Sequence, residues 1–287
     1  MENIYSEGFY KAQKHGSGIS ARKILPIVFE QLSFMPNNVV DVGCGTGTWL
    51  EACEHLGITD YIGMDGNYVN RESLLIDKKK FIPIDLDTDF SLDRIFDLVI
   101  SLEVAEHLSK NSSRQFIENL TKLGDVVLFS AAIPGQGGTN HINEAFPDFW
   151  ISLFESNGFY PIDVVRKQIW DDKEIDFWYR QNILIFARHS IKNDNLIFNK
   201  NQSSINDTLP YFYDRIHPEL YMIYVNEKAK LLSENALLLK KSQLFKIFIN
   251  RIISESKTDL KLFIKLHIPF LVKFKKRFTH NLSVQKN

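Results

Sequence analysis

A run of glycines placed directly after an apolar segment constrains this chain more than any other feature. Val39-Val40-Asp41-Val42 is apolar apart from one acid, and Gly43-Cys44-Gly45-Thr46-Gly47 leads from it into Thr48-Trp49-Leu50. The pattern predicts a strand, a tight loop and a helix. Glycine lets the backbone turn sharply and admits a ligand closer than any Cβ would. A loop of this kind at the C-terminal end of a parallel strand is built to hold a nucleoside-bearing cofactor.

The order of the glycines bears on which cofactor. A nicotinamide fingerprint runs G-x-G-x-x-G, its third glycine packing helix on strand. Here the third glycine, Gly47, comes one place early and Thr48 stands where that fingerprint needs glycine. Three further apolar segments end in acids or run into them. Tyr61-Ile62-Gly63-Met64 ends in Asp65, and Phe81-Ile82-Pro83-Ile84 ends in Asp85-Leu86. Phe96 to Ser101 runs into Leu102-Glu103-Val104-Ala105-Glu106-His107-Leu108. A carboxylate at the tip of the second strand can accept hydrogen bonds from both hydroxyls of a ribose. The plainer reading of a strand-end Asp is a helix cap or a turn residue. Asp97 begins its strand and is read as structural.

Asp41 with the three glycines resembles motif I of the class I S-adenosylmethionine (SAM)-dependent methyltransferases. Phe96-Asp97-Leu98-Val99 followed by Glu103-Val104-x-Glu106-His107 is similar to the segment after strand four in many of them. The likeness spans roughly residues 5–189. It implies SAM as cofactor, held by Asp41, Gly43, Cys44, Gly45 and Gly47 of the loop and by Asp65 and Gly66. Asp85 and Leu86 would meet the adenine, and Leu102, Glu103 and His107 would shape the pocket from the fourth strand. Cys44 also has a plainer role as a small apolar filler. The loop Gln136-Gly137-Gly138-Thr139-x-His141-x-Asn143-Glu144 and the start Phe146-Pro147-x-Phe149-Trp150 are similar to bacterial stand-alone methyltransferases of surface-polysaccharide or secondary-metabolite pathways.

A chain of 287 residues can bury one large core plus an appendage. Cys44 and Cys53 are its only two cysteines, so there is neither a disulfide framework nor a recognisable metal-ligand cluster. The start, Met1 to Tyr5, has neither the basic nor the apolar region of a secretory signal. No uninterrupted apolar run approaches the ~20 residues of a membrane-spanning helix. A cytoplasmic protein is expected. Charge is uneven: residues 240–287 carry twelve Lys or Arg against Glu255 and Asp259, so with −1 overall the rest is negative by about eleven charges. An acidic body argues against a nucleic-acid substrate held on a broad basic face. The basic, Phe-rich end fits either of two partners. One is an anionic membrane, each basic residue adding up to about 1 kcal/mol. The other is an apolar surface of the same domain or of a second subunit.

The expected fold is α/β, a Rossmann-like doubly wound sheet of seven strands with the last antiparallel, as in the family. Strand–helix alternation by itself supports only a doubly wound domain. Ser20 reads as the N-cap of a first helix carrying Ile24, Ile27, Val28 and Leu32 to about Phe34. Ser112–Leu123 and Phe146–Asn157 read as helices stopped by Gly124 and Gly158. Val126–Ala131, Val164-Val165 and Asn182–Ala187 read as the last three strands. Residues 1–189 form the catalytic domain with an N-terminal helical lid, the lid segment being Tyr10 to Ser20, for which a frayed terminus is the alternative. Residues 190–210 form a linker, and 211–287 a helical basic extension kinked at Pro269.

Methyl transfer to a hydroxyl needs alignment and a base. Near neutral pH that base is most often His. His141, on a glycine-rich loop after strand five, is the candidate for base or substrate contact, although a loop-internal hydrogen bond would also explain it. His107 is read as cofactor-side or structural. The preferred reaction is methylation of a sugar, glycan or glycolipid-precursor hydroxyl. N- or C-methylation of a small metabolite is the alternative within the fold, and a non-catalytic scaffold the alternative outside it.

Overall fold

The computed structural model describes residues 7–32, 34–192 and 213–255. The chain enters through helix α1 (Glu7–Gln31) and strand β1 (Asn38–Val42). Then follow α2 (Thr48–His55), β2 (Asp60–Asp65), β3 (Phe81–Pro83) and β4 (Leu98–Leu102). Next come α3 (Ser113–Leu123), β5 (Val126–Ser130), α4 (Pro147–Ser156) and β6 (Phe159–Ile162). The order closes with α5 (Arg166–Ile169), α6 (Phe177–Asn182), β7 (Leu184–Arg188), α7 (His189–Lys192) and α8 (Pro218–Glu255).

The seven strands form one sheet in the order β3-β2-β1-β4-β5-β7-β6. β1 pairs in parallel with both β2 and β4, while β7 runs antiparallel to β5 and β6. The order reverses between β1 and β4. There the connections leave on opposite faces, and a crevice opens beyond the strand tips. The expected seven-stranded arrangement with its last strand antiparallel is therefore observed.

Both faces of the sheet are covered, which is why its strands read as apolar runs rather than alternating ones. Alternation decides which face each side chain takes. Val39, Leu98 and Ile100 join Ile24, Leu25 and Val28 of α1 and Leu50 and Cys53 of α2 in one core. Val40, Val42 and Val99 join Phe116, Ile117 and Leu120 of α3 and Trp150 and Phe154 of α4 in the other. Phe154 stacks on Phe186 of β7 with ring centroids 3.8 Å apart. Burying each such ring stabilises by roughly 1.5–3 kcal/mol.

Several boundaries differ from the sequence reading. α1 begins at Glu7, not Ser20, and continues through Pro26. Ser20 caps nothing. It is buried, and its hydroxyl accepts the Asp176 N–H at 3.1 Å. The segment read as a lid is thus helix from Glu7 onward. Val164-Val165 follows the sixth strand rather than forming it, and Val165 is buried at the start of α5. Phe159 and Ile162 are the core-facing residues of β6. Asp97 is structural as expected, its carboxylate accepting the Asn37 backbone and side-chain N–H groups at 2.8 and 3.1 Å.

The chain divides into compact units 1–223 and 224–287. In the first, buried Arg166 pairs with Asp163 at 2.6 Å and donates to the carbonyls of Gln181 and Tyr213. His217 is buried there too, its N–H donating to Gln181 Oε1 at 2.6 Å. In the second, α8 exposes large apolar side chains, among them Tyr224, Leu232 and Leu239. The linker reading falls mostly outside the described residues, as do the Pro269 kink and most of the basic tail. Among the described residues no helix is long and apolar enough to cross a membrane.

Candidate active site

The glycine loop turns at the tip of β1 and delivers the chain into α2. Gly43 takes φ 86°, and a Cβ there would lie 2.3 Å from Val104. Only glycine meets both demands. Gly43 and Cys44 donate their N–H groups to the Met64 carbonyl, and the Gly47 N–H closes the turn on the Cys44 carbonyl at 2.8 Å. The next strand supplies the anchor. Asp65, almost fully buried at the end of β2, accepts the Gly45 N–H on Oδ2 at 2.6 Å. Its Oδ1 accepts the Gly66 N–H at 2.6 Å and the Tyr68 hydroxyl at 2.5 Å. Burial raises the Asp65 carboxyl above its ordinary value, against the Tyr68, Gly45 and Gly66 hydrogen bonds.

Above these tips lies a cleft of about 460 Å³. Gly43, Gly45, Asp65 and Gly66 line it from β1 and β2. Asp85 and Leu86 line it after β3, and Glu103 and His107 after β4. Asp85 is exposed and also accepts the Asp87 N–H in its own turn, so it has both the cleft position and the turn role. Asp41, Cys44, Gly47 and Leu102 are not in the lining. Asp41 and Leu102 are buried, Asp41 with Oδ2 unpartnered. Burial, then the neighbouring Asp65 charge, lifts the Asp41 carboxyl well above its usual value. Cys44 is buried with Sγ against the Gly63 backbone, and burial pushes its thiol up, so it fills space. Gly47 caps α2 at φ 85°.

A second cleft of about 450 Å³ shares Glu103 and His107 with the first. His141, Gln136 and Glu106 line it on one side, and Phe177, Trp178 and Tyr179 from α6 on another. Gly16 of α1 also borders it. Glu103 takes φ 55°, an uncommon value for a residue with a side chain. The strain aims its carboxylate at amide donors, Gln136 Nε2 at 2.8 Å and Asn182 Nδ2 at 3.1 Å. Burial raises the Glu103 carboxyl despite these bonds.

His141 has Nδ1 3.0 Å from Glu144 Oε1, and Glu144 is itself fixed by the N–H groups of Gly135 and Gly137. Gly138, at φ 154°, admits the ring, since a Cβ there would sit 2.2 Å from His141 Nε2. His141 therefore has the loop-internal bond that a structural role would give it, and it lines the cleft as well. Its ring meets that of His107 edge-on, centroids 4.8 Å apart. Burial, then the His141 charge, lowers the His107 pKa to about 4, against a hydrogen bond to the Asn140 backbone. Glu106 is fully buried, and neither carboxylate oxygen has a hydrogen-bond partner of normal geometry. Burial and the Glu103 charge push its carboxyl well up, opposed by the nearby amides of Glu106 and Ala132.

Spacing in the sequence showed no metal-ligand cluster. The fold nevertheless brings one ligand atom each of Glu106, His107 and His141 within 4.8 Å of one another. Glu106 and Glu144 were visible in motifs but had no role of their own, Asn182 was read only as the start of the last strand, and the α6 aromatics carried no signal beyond apolar character.

A family model described as "Methyltransferase domain" matches residues 17–161. A mitochondrial ubiquinone biosynthesis O-methyltransferase of Dictyostelium discoideum is 24% identical over 168 residues, covering 50% of this chain and 49% of the relative. The chain thus spans about half the length of the curated relative it matches. Among solved structures, human N-acetylserotonin methyltransferase in complex with SAM is similar at 17% identity and TM-score 0.45, with 64% of this chain and 57% of that one covered. The plantazolicin methyltransferase BpumL in complex with SAH (S-adenosylhomocysteine) is similar at 14% identity and TM-score 0.47, with 63% and 88% covered.

Proposed function

The chain belongs to the class I SAM-dependent methyltransferase family, and we propose that it methylates a hydroxyl group of a sugar or glycan precursor. The observation that carries the reading is the wall of Glu103 and His107 between two clefts of similar size. One cleft suits a nucleoside-bearing cofactor and the other an acceptor, so a transferable group would pass across that wall.

The residues of the first cleft fit SAM. Asp65 Oδ2 accepts one hydrogen bond and keeps acceptor capacity for a ribose hydroxyl. Gly45 leaves open space where a Cβ would stand. Asp85 and Leu86 offer an acceptor and an apolar surface suited to adenine. When bound, SAM supplies an already activated methyl group, and the protein's task is alignment and proton removal.

On the acceptor side, Gln136, Thr139 and His141 offer polar contacts, and Phe177, Trp178 and Tyr179 offer ring faces. Polar groups beside aromatic faces suit a sugar ring. A phenolic acceptor is the second reading, favoured by the same aromatic wall and by the oxygen-directed chemistry in the relative's name. On this reading His141 accepts the hydroxyl proton, and Glu144, 3.0 Å from its Nδ1, stabilises the imidazolium that forms.

Calorimetric titration with SAH, with NAD as control, tests the cofactor half. Saturable micromolar binding to the native chain and a loss of more than tenfold in Asp65→Ala are expected. No binding to correctly folded native protein would sink the reading. Turnover on sugar nucleotides but not on catechols would support the sugar class, and the reverse would support the phenolic one.

A further inference from the structure

Buried polar atoms are almost always hydrogen-bonded, and a buried carboxylate with neither oxygen satisfied carries a desolvation penalty that a cation relieves. Glu106 is such a group: 0% exposed, both oxygens unpartnered, and part of the acceptor-cleft lining. Beside it, His107 holds a buried Nδ1 that also lacks a partner. His141 is the third member, and the ligand atoms of all three lie within 4.8 Å of one another.

The surroundings of the His141 ring match what a metal-binding histidine needs. Such a ring gives one nitrogen to the ion and hands its other N–H to a carboxylate or carbonyl, which fixes tautomer and orientation. His141 places Nδ1 on the Glu144 carboxylate, and Glu144 is pinned by two backbone N–H groups. The Asn140 backbone lies beside the His107 ring and favours its protonated form, and the buried Nδ1 has no partner. The two donor segments are also tied together. Ile142 and Asn143 donate their N–H groups to the Glu106 carbonyl at 2.9 and 3.0 Å. Buried Asn143 donates its side-chain amide to the Ala105 carbonyl and the Ser113 hydroxyl. The loop bearing His141 is thus locked onto the segment bearing Glu106 and His107. Glu103, satisfied by Gln136 and Asn182, is not counted among the donors.

We propose that Glu106, His107 and His141 form a site for one divalent transition-metal cation, of the Zn²⁺ or Mn²⁺ class, whose remaining coordination positions face the acceptor cleft. Two imidazoles and one carboxylate suit such ions, and three protein ligands leave room for water or substrate. Ligand bonds of about 2.0–2.2 Å require the three side chains to close inward slightly from their present spacing.

The consequence for catalysis rests on the hydroxyl-acceptor reading above. An acceptor hydroxyl on the cation would release its proton to solvent water more readily. The His141 lone pair would then be held by the metal, so the cation takes over the base's task. Two neighbouring hydroxyls could fill two open positions, which makes a vicinal diol or a catechol a better acceptor than a lone alcohol.

The test uses the full chain, stripped with a chelator, titrated with Zn²⁺ by calorimetry and with Co²⁺ by visible absorption. The expected result is one cation per chain and a Co²⁺ d–d band, with affinity at least tenfold weaker in Glu106→Gln and in His141→Ala. SAH binding serves as the check that each variant is folded. If Glu106→Gln fails that check, His141→Ala, on a loop away from the sheet core, decides alone. Absence of stoichiometric binding by the native chain, or binding unmoved in the folded variants, overturns the site. A chain that binds SAH but no cation leaves the methyltransferase reading standing with His141 as base. A chain that binds the cation but no SAH keeps the site and sinks that reading.

Discussion

The two clefts share a wall and have similar volumes, yet they are built in opposite ways. The first is made mostly of backbone and strand tips: a glycine turn at the end of β1, Asp65 ending β2, and Asp85-Leu86 after β3. The second is made mostly of side chains from distant stretches, with Glu106 and His107 after β4, His141 after β5 and the aromatics of α6. A backbone site serves a ligand whose shape does not change. A side-chain site can be re-cut for a new acceptor without disturbing the fold.

Variants should therefore separate by cleft, with binding lost on one side and turnover on the other. The largest effect is expected from Gly43→Val. Its Cβ would enter Val104 at a φ of 86°, so the loop must rebuild. SAH binding should fall beyond detection by calorimetry, with roughly 1–3 kcal/mol of stability lost in urea unfolding. Near-native affinity would mean that the glycine turn does not shape the first cleft. His141→Ala should cut turnover by about 10²–10⁴-fold, the usual worth of a positioned proton acceptor, while SAH affinity stays within about twofold. If affinity fell as far as turnover, the division into two clefts would fail. Asp65→Ala removes an acceptor suited to ribose and should weaken SAH by about 10–100-fold. Its residual turnover at saturating SAM should stay near native, measured as KM against kcat.

The smallest effect is expected far from both clefts. Asp60 pairs with Arg94 at 2.6 Å on the surface, and that hydrogen-bonded guanidinium holds its carboxyl below the ordinary value. The contribution is present above the unfolded Asp value of about 3.9 and is lost as pH falls through the lower folded one. Asp60→Ala should cost under about 1 kcal/mol at neutral pH, less in high salt, and leave both clefts untouched. Thermal unfolding between pH 3 and 7 would check the sign.

Legibility in the sequence followed the same division. The acids of the first cleft stand at the ends of apolar runs, and each run is continuous because β1, β2 and β4 are covered on both faces. Local pattern was therefore enough to find Asp65, Asp85 and the glycine turn. It also picked Asp41, Cys44, Gly47 and Leu102, whose spacing matches the motif but which lie outside the lining. It also misjudged the start of α1, because Ser20 has the chemistry of a cap yet spends its hydroxyl on Asp176. That partner lies 156 residues away. Val164-Val165 misled for a related reason: β-branched residues favour a strand, but burial at the start of α5 accommodates them as well.

By itself the sequence determined the doubly wound sheet, its antiparallel last strand and the loop where a nucleoside cofactor would sit. The sheet and the loop follow from periodicity and glycine placement over short distances, while the antiparallel last strand is what the family resemblance implied. Only the tertiary structure decided that Glu106, His107 and His141 stand together, that Glu144 holds His141, and that α6 brings Phe177 to Tyr179 to the same cleft. These are contacts between side chains on separate elements. They depend on how the loops after β4 and β5 and the helix before β7 close over one sheet edge, and no local pattern carries that geometry.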